Sequence, residues 1–344
     1  MRRSWVEISF TRLRENVVAV QARLAPSTRI IAVVKADAYG HGIQEVSKCL
    51  LDCGVCDFAV ATLEEGVELR RGVGSGKILV LGGCSEGEEQ AFLEFDLTAA
   101  LFDSAFKVEK TSVQVEIDTG MNRLGIPWQE AARFIRSCPA SIIGVFSHFA
   151  CSDQDLEFTR LQLRRFEQAT SGLPYPRHIS NSAGLQLPEA HLDAVRPGLA
   201  LYGISPCSAV DYLQPILCWK TRVVNVREVP KGQPVGYCGT FTAPRDIRVG
   251  ILPVGYSDGY SRRLSNRGQV RVRGQLVPVI GRVAMDLVTV DLTDLSNPKV
   301  GEEVVLLEDS PGSPISAAGL SEMLETIPYE ILTRIGTRVE RLYV

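Results

Sequence analysis

Short runs of β-branched and other apolar residues alternate with longer amphipathic segments from residue 30 to about residue 203. Within the longer segments, such as 63–71, 127–138 and 156–170, apolar residues recur every three or four positions, as they do on a helix with one buried face. The short runs number eight, and eight strand-then-helix units indicate a (β/α)8 barrel rather than an open sheet. The predicted strands are 30–34, 58–61, 78–81, 97–101, 113–117, 142–146, 178–180 and 192–196.

After about residue 215 the pattern changes to strand-like runs without helices between them. Turn residues such as Pro230, Gly232 and Gly274 separate these runs, and a short helix is predicted over 316–325. We therefore expect an α/β chain, with a barrel over 8–216 and a mostly-β domain over 217–344, against which residues 1–7 pack. The predicted strands of this domain are 221–229, 247–254, 269–272, 277–280, 287–292 and 303–307.

The composition narrows the classes of partner and compartment. With 344 residues and a formal charge of -3, the chain has no overall positive field, so we expect no nucleic-acid partner. No charge-free stretch of about 20 apolar residues occurs, and charged residues interrupt any signal-like segment at the start, so neither a membrane span nor secretion is expected. Nine cysteines form no disulfide-like pattern, which favours a reducing, cytoplasmic location.

Polar residues follow the predicted barrel strands at the end where their side chains meet in one mouth. Lys35 ends an apolar strand, where desolvation lowers the pKa of an amine, as imine formation with an aldehyde requires; a lysine that merely extends into solvent is the alternative. Gly198, Tyr39 and Ser182 offer N–H groups and hydroxyls suited to a phosphate. Since the four histidines lack ligand-like spacing, no metal is expected.

The segment around Lys35 reads Ala32-Val-Val-Lys-Ala-Asp-Ala-Tyr-Gly-His-Gly42. It resembles the PLP-lysine signature of the alanine racemases, enzymes built from a barrel and a β domain that use pyridoxal 5'-phosphate (PLP), and it is the most specific match to that family. The resemblance extends over essentially the whole chain, and the other matching segments follow in the order of the family. They are Asp118-Thr-Gly-Met, Arg123-Leu-Gly125, Ser147-His-Phe-Ala150, Asn181-Ser182, Arg196-Pro-Gly198, Gly255-Tyr-Ser-Asp-Gly259, Gly281-Arg282, Met285-Asp286 and Pro328-Tyr-Glu330.

The resemblance implies a PLP-dependent racemase that interconverts L-alanine and D-alanine with two bases and supplies D-alanine for peptidoglycan. It implies that Lys35 carries PLP as a Schiff base and acts as one base. The other base is Tyr256, which comes from the partner subunit of a homodimer and works on the opposite face of Cα. The sequence does not distinguish a cell-wall role from alanine breakdown, and it does not set the strength of the dimer.

The resemblance also assigns the remaining site residues. Arg196 faces the pyridine nitrogen and, because arginine keeps its proton, leaves that nitrogen unprotonated. Arg123 and the backbone N–H of Met285 bind the substrate carboxylate, and His148 bridges Arg196 and Tyr256. The phosphate is assigned to the hydroxyls of Tyr39, Ser182 and Tyr329 and to the N–H groups of Gly198 and Leu199.

Two positions depart from the family pattern. Glu116 stands where many members have a carbamylated lysine that braces the active-site arginine, so Glu116 could pair with Arg123 instead, although its reach is shorter. Asn122 replaces a usual glycine, and because asparagine tolerates unusual backbone angles we expect only a small local change.

Other interpretations remain open from the sequence. A broader-specificity racemase that accepts serine is the closest rival. A PLP decarboxylase of the same barrel type presents a carboxylate to the pyridine nitrogen, which Arg196 argues against, and a non-catalytic PLP-binding protein lacks the β domain. Taken singly, Tyr256 could be a core aromatic, His148 a buried structural histidine and Arg123 a surface partner of Asp118.

Overall fold

The structure is a computed structural model that describes residues 2–103, 108 and 110–344. The chain divides into two compact units. One is Thr11–Leu213, called here the barrel unit; the other, called the β unit, combines the residues up to Phe10 with Gln214–Val344. The predicted ranges 1–7 and 8–216 include residues 1, 104–107 and 109, which lie outside the described residues.

The first strand, β1 (Ser4–Ile8), lies in the β unit, and the elements of the barrel follow it. In chain order these are α1 (Phe10–Gln21), β2 (Arg29–Val33), α2 (Lys35–Gly40), α3 (Ile43–Asp52), β3 (Asp57–Val60), α4 (Leu63–Val73), β4 (Lys77–Val80), α5 (Glu89–Glu94), β5 (Thr98–Leu101), β6 (Ser112–Asp118), β7 (Ile126–Pro127), α6 (Trp128–Ser137), β8 (Ser141–Phe146), α7 (Leu156–Thr170), β9 (Arg177–His178) and β10 (Ala194–Val195). Short 3-10 helices cover Ala183–Gln186, Pro188–Ala190 and Ser208–Val210.

Eight parallel strands close the barrel in the order β5-β4-β3-β2-β10-β9-β8-β6, and the pairing of β5 with β6 completes the circle. The predicted α/β barrel is confirmed, and each predicted strand coincides with one of these eight. Both faces of a barrel strand are covered, which is why β3 reads as the continuous apolar run Phe58, Ala59 and Val60, all fully buried.

The prediction that an α-helix follows every strand of the barrel is wrong near its end. Between β9 and β10 the described residues form 3-10 helices instead of an α-helix. Gly184 and Pro188 lie in this segment, and both disfavour an α-helical interior. The Asn181 side chain also accepts a hydrogen bond from the N–H of Gly184 at 2.9 Å, which fixes the start of the tighter turn.

The β unit is mostly strand, as predicted. Its elements are β11 (Leu217–Arg222), β12 (Asn225–Val229), β13 (Pro234–Val235), β14 (Phe241–Thr242), β15 (Ile247–Leu252), β16 (Gln269–Val272), β17 (Gln275–Pro278), β18 (Val288–Asp291), β19 (Glu303–Leu307), α8 (Ala317–Leu324), α9 (Pro328–Thr333) and β20 (Glu340–Tyr343). Short 3-10 helices cover Tyr237–Gly239, Tyr256–Asp258 and Arg262–Leu264. The sheets have the orders β17-β16-β19-β11-β1-β20 and β12-β15-β18, with a separate β13-β14 hairpin.

Two predicted strands of the β unit need correction. The run 221–229 is two strands in different sheets, because Val223 N–H bonds to Glu302 O (2.9 Å) whereas Val224 N–H bonds to Ile251 O (2.9 Å). The run 277–280 begins instead at 275, because the positive φ angles of Arg273 (49°) and Gly274 (80°) form a two-residue hairpin turn directly before it.

Candidate active site

Lys35 lies directly after β2 at the mouth of the barrel and is partly buried. Burial lowers the pKa of its amine, and the positive charge of Arg123 lowers it further, while Glu65 opposes the shift. The Glu65 carboxylate also accepts hydrogen bonds of 2.7 Å from the N–H groups of Ala36 and Ala61, so it ties together the segments that follow β2 and β3. An amine with a lowered pKa is suited to attack an aldehyde.

The segment after Lys35 is a left-handed turn. Ala36, Asp37, Ala38 and Tyr39 have φ angles of 51°, 54°, 50° and 56°, which cost about 1–2 kcal/mol for each non-glycine residue. Side chains hold it in place: Asp37 Oδ1 accepts from Ile43 N–H (2.8 Å), and His41 binds the carbonyls of Ala38 and Tyr39. Consecutive strained residues of this kind concentrate at functional sites. In the sequence, only the nearby Gly40 and Gly42 hint at such a turn.

His41 is fully enclosed. Its Nδ1–H donates to Ala38 O at 2.8 Å, and its ring stacks on Tyr202 with 4.6 Å between centroids. The Tyr202 hydroxyl in turn donates to Val33 O at 2.9 Å in β2. The left-handed turn is thus anchored to the barrel wall, and this places the Tyr39 ring 5.1 Å from Tyr202.

Hydroxyl and N–H groups collect beside Tyr39. A Cβ atom on Gly198 would lie 2.6 Å from Tyr39 Oη, so any side chain at this position would displace the tyrosine hydroxyl. Ser182 Oγ accepts hydrogen bonds from the N–H groups of Gly198 (3.0 Å) and Ala200 (3.2 Å). Leu199 is buried, and its N–H has no acceptor among the described residues. The structure therefore brings together the predicted phosphate-binding residues of the barrel unit.

Arg196 is 3% exposed, and its two terminal nitrogens are held by several acceptors. Nη1 donates to Nδ1 of His178 and to its carbonyl (3.2 Å). Nη2 donates to Ser147 O (2.6 Å), His148 Nδ1 (3.2 Å) and Ile179 O (3.3 Å). The N–H on Nε has no acceptor in the part of the chain that the structure describes. Burial lowers the pKa of Arg196 to about 10, so the guanidinium stays charged at neutral pH.

The two histidines that contact Arg196 are neutral. Burial, with the charge of Arg196, lowers the pKa of His148 to about 3 and holds that of His178 well below its usual value. Since each Nδ1 accepts a hydrogen bond from Arg196, each Nε2 carries the ring hydrogen. In His178 that hydrogen points to Gln114 Oε1 at 2.5 Å. The sequence reasoning missed His178 and Gln114, although both lie on predicted strands.

Arg123 is exposed and makes no hydrogen bond or ion pair within the described ranges. Neither the pairing with Glu116 nor the alternative pairing with Asp118 is formed there. Asp118 Oδ1 instead accepts from the N–H groups of Gly120 (2.9 Å) and Asn122 (3.1 Å), and Asn122 has a φ of 54° that asparagine tolerates. Burial raises the pKa of Glu116, and Arg196 and Arg123 oppose that shift. Arg123 is left available for a ligand.

Tyr256 and Met285 are neighbours in the β unit. Tyr256 is 43% exposed and Met285 53%, so the interpretation of Tyr256 as a core aromatic is wrong. Tyr256 N–H donates to Ala284 O and Ser257 N–H to Met285 O, both at 3.1 Å. The N–H of Met285 has no acceptor among residues that are described. Tyr329, the remaining predicted site residue, is partly buried at the start of α9 in the same unit.

Residues 255–259 also match the G-x-S-x-G pattern of serine hydrolases, but the surroundings of Ser257 do not fit a nucleophile. Its Oγ donates to Met285 O at 2.7 Å and accepts from Arg338 at 2.8 Å. No histidine contacts this hydroxyl in the described part of the β unit.

Within the described residues, no helix has the length and apolar character needed to cross a membrane.

Comparison with known proteins identifies the family. Residues 8–206 match the model of the alanine racemase N-terminal domain and residues 216–343 that of the C-terminal domain. An alanine racemase of Symbiobacterium thermophilum is 41% identical over 368 aligned residues, which cover 100% of this chain and 97% of that protein.

Solved structures agree with this assignment. The alanine racemase of a D-cycloserine-producing Streptomyces lavendulae superposes with a TM-score of 0.90 at 33% identity, covering 100% of this chain and 97% of the other. The alanine racemase of Bartonella henselae, solved with covalently bound pyridoxal phosphate, superposes with a TM-score of 0.90 at 30% identity, and the match covers 100% of each chain. The resemblance read from the sequence is confirmed: the chain belongs to the alanine racemase family.

Proposed function

We propose that this chain interconverts L-alanine and D-alanine, with PLP attached covalently to Lys35 and with Lys35 and Tyr256 of the partner subunit as the two bases. The racemase class and the cofactor predicted from the sequence are confirmed by the family match. The roles of individual residues, the dimer and the metabolic purpose are the proposal.

The surroundings of Arg196 carry the proposal. A buried guanidinium whose terminal nitrogens are fully used leaves one N–H, on Nε, for a ligand. The N–H of Leu199 lies next to Gly198 and Ser182 and likewise lacks an acceptor in the described chain. One end of this mouth therefore suits a ring nitrogen and the other a phosphate, as the chemistry of PLP requires.

PLP, when bound, acidifies the Cα–H of an amino acid by delocalising the charge left on Cα. Arg196 cannot practically give up its proton, so we assign it to face the ring nitrogen and leave that nitrogen unprotonated. Tyr39, Ser182, Gly198, Leu199 and Tyr329 hold the phosphate. Arg196 thus limits how long the charge on Cα persists and favours return of the proton over side reactions.

Racemisation needs one base on each face of Cα, because the group that removes the proton cannot also return it from behind. We assign these roles to Lys35 Nζ and to Oη of the partner subunit's Tyr256. His148 Nδ1 accepts from Arg196, and its Nε2–H, which has no acceptor among the residues described, can donate to that tyrosine. Arg123 and the N–H of Met285 bind the substrate carboxylate.

The working unit in this proposal is a two-fold homodimer with two shared sites, located in the cytoplasm and supplying D-alanine for peptidoglycan. Within each chain, residues 8–216 form the PLP-binding barrel, and residues 217–344 with 1–7 form the domain that reaches the partner's site. Crowding by Tyr39, Tyr256 and Tyr329 leaves room for the methyl group of alanine and little more.

The test is chiral analysis of products from purified protein with L-alanine or L-serine, with and without added PLP. We expect D-alanine to form, L-serine to react more slowly, and Tyr256→Phe to abolish racemisation while the bound cofactor keeps its visible absorption. Tyr237→Phe, at another exposed tyrosine of the β unit (68% exposed), is the control and keeps full activity. Wild-type racemisation by Tyr256→Phe would remove the two-base assignment.

A further inference from the structure

Two loop segments of the β unit carry different parts of the proposed site and lie side by side. Residues 255–259 carry Tyr256, and residues 284–286 carry the Met285 N–H. They approach so closely that a Cβ atom on Gly255 would lie 2.2 Å from Met285 O. Their relative position sets the distance between a proposed base and a proposed carboxylate ligand.

One side chain contacts both segments at once. Arg338, just before β20, donates from Nη1 to Ser257 Oγ at 2.8 Å. Its Nε lies 3.2 Å from Asp258 Oδ1, and its Nη2 lies 2.7 Å from Asp286 Oδ1. Asp258 belongs to the Tyr256 segment, and Asp286 directly follows Met285. The guanidinium therefore connects the two segments through three separate nitrogens.

The side chains that accept hydrogen bonds from Arg338 also bind the backbone of the two segments. Asp258, whose side chain is 3% exposed, accepts the N–H of Gly255 at 2.9 Å through its other oxygen. Ser257 Oγ donates to Met285 O at 2.7 Å. Arg3 adds a second, looser contact, with its Nη2 3.4 Å from both Asp258 and Asp286. Movement of Arg338 is therefore transmitted to both segments.

We propose that Arg338 is a positioning residue for racemisation, which fixes Tyr256 and the Met285 N–H relative to each other. This inference rests on the proposed function of those two residues. A planar guanidinium with N–H groups in a fixed fork can satisfy three acceptors together, whereas the single ammonium of lysine cannot hold the same geometry. Displacement of a positioned group by about 1 Å can lower the rate of an enzyme about 100-fold.

The experiment compares Arg338→Met and Arg338→Lys holoenzymes with Arg245→Met, which removes an exposed arginine that pairs with Asp294 alone among the described carboxylates. We expect Arg338→Met to lower kcat/KM about 10- to 100-fold, with a raised KM because the carboxylate ligand shifts. The Cα deuterium isotope effect should rise for the enantiomer that Tyr256 deprotonates and stay unchanged for the other. Arg338→Lys should show a smaller loss with the same asymmetry and carries the test if Arg338→Met does not fold.

A second readout does not depend on activity. Hydrogen exchange of the Tyr256 and Ser257 amides, which bond to Ala284 and Met285, should accelerate at least tenfold in Arg338→Met and stay at the wild-type rate in Arg245→Met. Equal slowing of both enantiomers with unchanged isotope effects, or unchanged exchange of these amides, would overturn the role of Arg338.

Tyr256→Phe, measured alongside, separates the two hypotheses. If it is inactive while the Arg338 variants match wild type, only the positioning role fails. If it racemises alanine at the wild-type rate, the proposed function itself fails.

Discussion

The two parts of the proposed site are held in different ways. In the barrel unit, Arg196, Ser182 and Tyr39 are 3%, 4% and 6% exposed; buried hydrogen bonds hold the first two, and the Tyr39 ring packs against Tyr202. In the β unit, Tyr256 and Met285 are 43% and 53% exposed, and surface charges hold their loops. The barrel unit thus holds its groups in a preformed cradle, whereas the β unit presents its groups at the surface, as the proposed homodimer requires.

The largest expected effect tests the barrel side of this comparison. Lys35→Ala should lower racemisation at least about 10⁴-fold, because it removes both the covalent link to PLP and one base. Borohydride reduction followed by peptide mass spectrometry should then find no adduct, whereas Lys231→Ala, in an exposed turn of the β unit, should keep the adduct on Lys35. An unchanged adduct in Lys35→Ala would move the site elsewhere.

The next effect concerns how the cradle is fixed. Arg196→Lys should lower kcat/KM about 100-fold and weaken PLP retention, because one ammonium cannot satisfy Ser147 O, Ile179 O and the two histidines together. Arg160→Lys alters an exposed arginine that pairs with Glu189 and should change neither property. Equal activity of the two variants would show that the buried contacts of Arg196 are dispensable.

As the pH falls, the stability that depends on the barrel unit should be lost at a higher pH than the stability that depends on the charge network of the β unit. His178 is 3% exposed, and its pKa in the folded chain is well below 6.5, so the unfolded chain binds a proton first and stability falls as pH drops below 6.5. The hydrogen bond from Arg338 lowers the pKa of Asp286 below its ordinary value of 3.8. The contribution of Asp286 to stability is therefore lost only when the pH falls to about 3.8 or below.

Urea unfolding of wild type and His178→Gln between pH 7.5 and 5 measures this difference. The variant should lose part of the pH dependence of its free energy of unfolding, even though it is less stable at pH 7.5. An identical slope in both proteins would mean that His178 is not kept neutral by the fold.

The smallest effect tests the fit beside Tyr39. Gly198→Ala places a Cβ atom 2.6 Å from Tyr39 Oη, which must move, so the affinity for PLP should fall about tenfold. Gly172→Ala, where nothing lies within 4 Å of the added atom, costs only backbone strain and should leave the affinity unchanged. Equilibrium dialysis measures both, and equal dissociation constants would contradict the proposed phosphate cradle.

Hydrophobic periodicity predicted most of the barrel because its buried strands are apolar on both faces. The same signal failed at 221–229, where one continuous run crosses from one sheet to another at Val223 and Val224, because no glycine or proline marks the crossing in the sequence. The motif segments predicted the residues that gather near Lys35, but not the left-handed turn of Ala36–Tyr39, because its cost is balanced by distant side chains such as Glu65. His178 and Gln114 were missed because neither lies in a motif.

The sharing of one site between two chains is tested most directly with heterodimers. Lys35→Ala and Tyr256→Phe chains with different tags are co-expressed, and the dimer that contains one of each is purified. We predict about half of the wild-type activity per dimer, because one of its two sites pairs an intact Lys35 with an intact partner Tyr256. An inactive heterodimer, in which both chains fold and the Tyr256→Phe chain carries PLP on its Lys35, would contradict the account.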